Sequence, residues 1–216
     1  LLGQIKQWLN GRNTPQVFRL FGWAGTGKST IAKEAMNMAK VVSFAAFTGK
    51  AALVMQKKGC HNAKTIHSLI YKPKECPITG KPLFHLNTNS EVLESDLVVI
   101  DEVSMVGDLL AKDLLSFGTK ILVLGDPFQL PPVSGAGFFT ECEPDFMLTE
   151  IHRQAKDNPI IKMSMIVREG GELANGTYGE SLVLDRSKVD KDAVAKACME
   201  SGQVICGTNK LRHTLN

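Results

Sequence analysis

The run GWAGTGKST, Gly22 to Thr30, carries the pattern G-x-x-x-x-G-K-[ST], in which each residue type has a physical task. Glycines let the backbone fold tightly, so that amide N–H groups point inward at phosphate oxygens. Gly22, Ala24, Gly25, Thr26, Gly27 and Thr30 form the candidate cradle, with Lys28 placed to reach the β and γ phosphates and the Ser29 hydroxyl to ligate Mg²⁺. The run stands between an apolar stretch and a helical pattern, whose positive N-terminal end adds to anion binding. A glycine-rich turn with no ligand is the alternative. The motif points to ATP or another nucleoside triphosphate and says almost nothing about how the energy is used.

A second group of candidates lies in LVVIDEVSM. Asp101, at the tip of an apolar run, is suited to hold Mg²⁺, and the adjacent Glu102 to act as general base toward an attacking water. The stretch LVLGDPFQLPPV places Gln129 beyond another apolar run, where its amide could bond both the γ phosphate and the water. Pro131 and Pro132 stiffen the segment that follows, so Gln129 could couple hydrolysis to a second ligand. Solvated turn acids and a proline-bearing surface loop are the plain alternatives.

These side chains need a scaffold that brings strand ends together. Apolar runs at 17–22, 41–47, 97–101, 120–125, 146–150, 181–185 and 203–208 alternate with helical patterns at 29–40, 49–58, 107–117, 159–169 and 190–201. Strands apolar on both faces predict a mostly parallel sheet flanked by helices, an α/β plan with ligands at the strands' C-terminal ends. Residues 71–95 break the rhythm with three prolines and a Thr79-Gly80 pair, which predicts a small projecting β-hairpin insertion. The glycine-rich stretch 169–180 is the candidate boundary, giving a first domain over 1–175 and the start of a second over 176–216.

The chain has 216 residues, 44% of them hydrophobic, enough for one sizeable core. No apolar run approaches the ~20 residues that span a bilayer, so a cytoplasmic setting without membrane contact is expected. The five cysteines form no C-x-x-C pair and read as reduced thiols, and Cys60, His61, Cys76 and His85 fit no usual zinc spacing. The net charge of +3 is uninformative, but residues 49–82 hold seven lysines against the single acid Glu75. Such an excess would suit a phosphate backbone, or simply be a solvated face.

GWAGTGKST, FTGKAA, TIHSLI, VVIDEVSM, LVLGDPFQLPPV and LTEIHRQ occur in this order, and together they resemble the motifs of superfamily 1B DNA helicases, the RecD and Dda group. The resemblance implies a P-loop NTPase with RecA-like lobes, ATP between two of them, and single-stranded DNA moved in the 5′ to 3′ direction. It implies that Thr48, Lys50, Thr65 and His67 line the DNA path, and that the insertion at 71–95 is a pin that splits a forked duplex. A core histidine satisfied by backbone is the alternative for His67. Arg153 matches the arginine that reaches the γ phosphate, while His152 stands where some relatives stack an aromatic on adenine. Asn209 and Arg212, in VICGTNKLRHTLN, match DNA or phosphate contacts at the start of a second lobe. The family's glutamine motif and later second-lobe motifs have no counterpart between Leu1 and Asn216, so a first lobe with a truncated second, poorly active alone, is expected.

Replication, recombination or repair proteins are the partner class this implies, with a monomer as the working expectation. An ATP-switched nucleic-acid binding or assembly module without unwinding is the reading from another class. A small-molecule kinase shares the phosphate loop but leaves DEVSM and GDPFQLPP unexplained.

Overall fold

The computed structural model describes residues 1–75, 80, 82–133, 135–150 and 158–215. The chain divides into two compact units, Leu1–Ala155 and Lys156–Asn216.

The first unit is built on six parallel strands: β1 (Val17–Gly22), β2 (Val42–Ala46), β3 (Lys64–Thr65), β6 (Leu97–Asp101), β7 (Lys120–Gly125) and β8 (Phe146–Leu148). Their spatial order is β3-β2-β6-β7-β1-β8, with parallel pairing throughout. Side chains alternate across a strand, so each apolar run feeds two cores. Val98, Ile100, Ile121 and Val123 point to one face, with Ile66, Leu69, Leu110, Leu114 and Phe139. Leu97, Val99, Leu122 and Leu124 point to the other, with Ile5, Trp8, Ala32, Ala52 and Met55. The continuous hydrophobicity of LVVID and KILVLG thus follows from cover on both sides.

Among the described residues of this unit, five helices supply that cover: α1 (Leu2–Asn10), α2 (Lys28–Glu34), α3 (Gly49–Lys57), α4 (Ile66–Ile70) and α5 (Asp108–Leu115). The helix expected over 29–40 is shorter, passing into a 3-10 turn at Ala35–Asn37. The amphipathic N-terminus forms α1, whose Trp8 packs on Phe18 with ring centroids 5.4 Å apart and donates from Nε1 to the Pro15 carbonyl at 2.7 Å.

Strands β4 (Tyr71–Glu75) and β5 (Pro82–Leu86) form the expected hairpin, as a separate antiparallel pair. Pro73 is tolerated because a two-stranded ribbon has free edges. The remainder of the 71–95 interval returns to the body: Val92 is buried in the first core, and Ser90 Oγ donates to the Leu69 carbonyl at 2.7 Å. At the hairpin's base the Tyr71 hydroxyl donates to Asp113 on α5. Burial first, then that carboxylate, pushes the tyrosine's pKa well above its ordinary value. Tyr71→Phe removes the donor and leaves a carboxylate unpaired, so a loss of about 1–2 kcal/mol is expected for this half-buried pair. An unchanged urea midpoint would contradict that assignment.

The second unit holds α6 (Pro159–Arg168), a hairpin of β9 (Gly176–Tyr178) and β10 (Ser181–Val183), α7 (Lys191–Glu200) and α8 (Asn209–Leu215). Asn158 caps α6 by accepting from Ile160 N at 2.9 Å, and Asp190 caps α7 by accepting from Ala193 N at 3.3 Å. Two expectations are corrected here. The run at 181–185 pairs antiparallel with 176–178 instead of joining a parallel sheet, and 203–208 carries no strand. No described side chain of this unit is fully buried, so neither run has the two-sided cover that a parallel strand requires. Among the described residues no helix is long and apolar enough to cross a membrane.

Candidate nucleotide site

Strand β1 ends at Gly22, and α2 begins at Lys28. A Cβ on Gly22 would stand 2.7 Å from both Leu148 Cβ and Thr26 Oγ1, so only glycine lets β8 and the loop close around this point. Gly25 (φ 78°) and Gly27 (φ 90°) occupy the left-handed region, which an L side chain resists. Buried Thr26 fastens the loop by donating from Oγ1 to the Trp23 carbonyl at 2.8 Å. Lys28 Nζ folds back on the same loop, donating to the carbonyls of Gly22 at 2.6 Å and Trp23 at 3.0 Å.

Strand pairing brings the other candidates here. Asp101 closes β6, and the next residue, Glu102, has φ 58° and ψ 47°, a left-handed conformation that costs a non-glycine residue about 1–2 kcal/mol. Its N–H donates to Asp101 Oδ1 at 2.9 Å, which offsets part of that cost and turns the chain sharply at the strand end. After β7, buried Asp126 organises the turn by accepting from Phe128 N at 3.1 Å, and Gln129 N bonds the Asp126 carbonyl at 3.1 Å. Gln129 Oε1 accepts weakly from Ser104 Oγ at 3.4 Å. The acid and prolines after LVLG are therefore the turn that aims Gln129 back at the DEVSM segment.

One cleft of about 660 Å³ collects these residues: Trp23 through Thr30, with Lys33, Lys58, Asp101, Glu102 and Gln129. Lys28, Ser29, Asp101, Glu102 and Gln129 thus share one cavity, although 101 positions separate the first from the last. Burial raises the Asp101 pKa above the usual carboxylate value, opposed by the Glu102 N–H, Lys28 and Lys58. Burial raises Glu102 as well, and the neighbouring Asp101 charge adds to it. The Ser29 hydroxyl and the Asp101 carboxylate are hard oxygen donors on one cavity wall. Such a sparse set fits Mg²⁺, which keeps several waters and takes few protein ligands.

Next to this cleft lies a cavity of about 330 Å³ that shares Ser29, Lys58, Asp101 and Glu102 with it and is otherwise walled by Phe47, Thr48, Lys50, Ala51, Val54 and Met105. A third, of about 760 Å³, includes Phe47, His67, Tyr71, Met105 and Pro132. His67 is exposed, with ring centroids 6.4 Å from Phe47 and 5.7 Å from Tyr71, so the core-histidine alternative is excluded. Thr48 and Thr65 cap α3 and α4, accepting at Oγ1 from Ala51 N at 3.2 Å and Ser68 N at 3.1 Å. Asn209 and Arg212 are exposed on α8 in the second unit. Arg153 and His152 lie outside the described residues, as does Cys76. Among the described residues Cys60 is a buried free thiol, and no group of three metal-ligating side chains assembles.

Motif reading missed three residues of the main cleft: Trp23, Lys33 and Lys58. Lys58 was counted only within the basic interval; its place at the end of α3, facing the phosphate loop, depends on β2 lying beside β6.

A family model described as AAA domain matches residues 6–183. The ATP-dependent RecD2 DNA helicase of Deinococcus radiodurans is 39% identical over 155 residues, covering 66% of this chain and 20% of that protein. A Bacteroides Pif1 in complex with ADP-AlF4 superposes with a TM-score of 0.53 at 25% identity over 80% of this chain and 46% of that one. Pif1 from Bacteroides with ADP-AlF3 and ssDNA gives 0.56 at 22% identity, over 94% of this chain and 57% of that one. The chain therefore spans about a fifth of the RecD2 relative and about half of the Pif1 chains. With the phosphate loop, the DEVSM turn and Gln129 gathered at one end of a parallel sheet, this chain belongs to the AAA domain family and is similar to part of a RecD2 helicase.

Proposed function

We propose that the chain is the first motor lobe of an ATP-dependent DNA helicase that moves 5′ to 3′ along single-stranded DNA and separates strands as it goes. The observation that carries this reading is the single cleft uniting Lys28, Ser29, Asp101, Glu102 and Gln129. Loop amides and Lys28 bind the β and γ phosphates, while Ser29 and Asp101 would hold Mg²⁺, which supplies charge neutralisation for the transferred phosphoryl group. Glu102 takes the proton of the attacking water, and Gln129, which lines the same cleft, orients that water. Arg153 completes the charge around the γ phosphate.

Thr48 and Lys50 wall the cavity beside the cleft, and His67 the next one, which supports a DNA path over this face. The insertion at 71–95, with its β4–β5 hairpin, is the separating pin. Residues 176–216 begin a second lobe, where Asn209 and Arg212 meet DNA or its phosphates. ADP-AlF4 and ssDNA in the Pif1 relatives agree with this assignment of ligands.

The test is strand separation by the full-length protein on duplexes tailed at either end, beside phosphate release with and without single-stranded DNA. The expected result is ATP-dependent separation of the 5′-tailed duplex together with DNA-stimulated hydrolysis. DNA binding modulated by ATP with neither duplex opened would overturn the helicase reading in favour of a switch module.

A further inference from the structure

Lys58 is one of three lysines lining the phosphate cleft, with Lys28 and Lys33, and nothing in the motif accounts for it. It caps the C-terminal end of α3. Its N–H bonds the carbonyls of Val54 and Met55, each at 3.1 Å, and Gly59 follows at φ 99°. Buried Cys60 then anchors the turn, its N–H donating to the Met55 carbonyl at 3.0 Å. The backbone beneath Lys58 is therefore fixed, and its side chain crosses to the loop, where Nζ donates to Ser29 Oγ at 2.9 Å. Lys58 lines both the phosphate cleft and the adjoining cavity, as do Ser29, Asp101 and Glu102.

We infer that the Lys58 ammonium is a tethered counter-ion that bonds the Ser29 hydroxyl and gives way when a metal-bound nucleoside diphosphate or triphosphate enters. The inference rests on the nucleotide reading of the cleft. A divalent cation between Ser29 and Asp101 would meet like charge at close range, so the ammonium and the metal cannot both sit against that hydroxyl. When no metal is present the ammonium stays and neutralises the phosphates itself. Its position on the face of α3 that carries Ala51 and Val54 also links the event to the cavity walled by Thr48 and Lys50.

The experiment is a titration of the full-length protein with N-methylanthraniloyl ADP, in EDTA and in excess Mg²⁺. Lys58→Met is expected to weaken binding in EDTA about 10- to 100-fold more than in Mg²⁺, the size of one charge-assisted hydrogen bond. Lys58→Arg, which keeps the charge, is expected to hold the ratio of the two affinities near that of the unaltered protein, and so is Lys57→Met on the preceding residue. Equal weakening by Lys58→Met in both conditions, or an equal effect of Lys57→Met, overturns the counter-ion role while leaving the nucleotide site intact. Absence of ADP binding by the unaltered protein in both conditions removes the nucleotide reading, and the inference with it.

Discussion

Glutamine in place of Glu102 is expected to lower DNA-stimulated ATP turnover by about 10²–10⁴-fold, the usual contribution of a positioned general base, with nucleotide still bound. The substitution is nearly isosteric, so the cleft's shape survives while the proton acceptor is lost. Backbone geometry makes Glu102 the focus. A left-handed φ at a non-glycine residue is unfavourable, and it is retained here at the one position between the Asp101 carboxylate and the 3-10 turn Val103–Met105. Strain of this kind clusters where a side chain must be aimed against the local preference of the chain. The carboxylate is also partly desolvated beside Asp101, which raises its proton affinity in the direction a base requires. Phosphate release under saturating single-stranded DNA, beside equilibrium binding of a fluorescent ADP, separates the two effects. Turnover within a few-fold of the unaltered protein would transfer the base role elsewhere.

The same turn shows why some of the site was legible in the sequence and some was not. LVVID and KILVLG read as strands because a parallel strand buried on both faces has no polar alternation, and their tips carry the acids and the amide. Adjacency of β6, β7 and β1 then brings Asp101, Gln129 and the phosphate loop together. A lysine at a helix end has no motif of its own, so Lys58 stands out only within the basic interval; its reach to Ser29 depends on where the sheet places α3. SLVLD and QVICGT depart from the parallel-strand expectation for a related reason. Hydrophobic runs fix a strand in a parallel sheet only when both faces are covered, and Leu182 and Ile205 are exposed in the second unit. The hairpin was readable from its prolines and Thr79-Gly80, but the inward return of Val92 was not, since a single valine after a turn carries no periodic signal.

Loss of the Lys28 ammonium is expected to be the other severe change: Lys28→Ala should lower DNA-stimulated turnover by at least about 10²–10³-fold, the scale of removing one preorganised electrostatic donor from a reacting centre. This ammonium also holds the phosphate loop by donating to the carbonyls of Gly22 and Trp23. Alanine therefore removes a phosphate ligand and also frees two loop carbonyls at the position where Gly22 packs against β8. Nucleotide affinity should fall along with turnover, unlike the Glu102→Gln outcome, and that contrast distinguishes a binding cation from a base. Lys28→Arg sharpens the comparison. A planar guanidinium keeps the charge but not the compact, rotatable head that reaches between two carbonyls, so it should restore only a minor part of the lost turnover. Full recovery with arginine would mean that net charge alone suffices in the cleft. Unaltered hydrolysis in Lys28→Ala would remove the phosphate loop from the reaction, and with it the role assigned to every residue gathered around it.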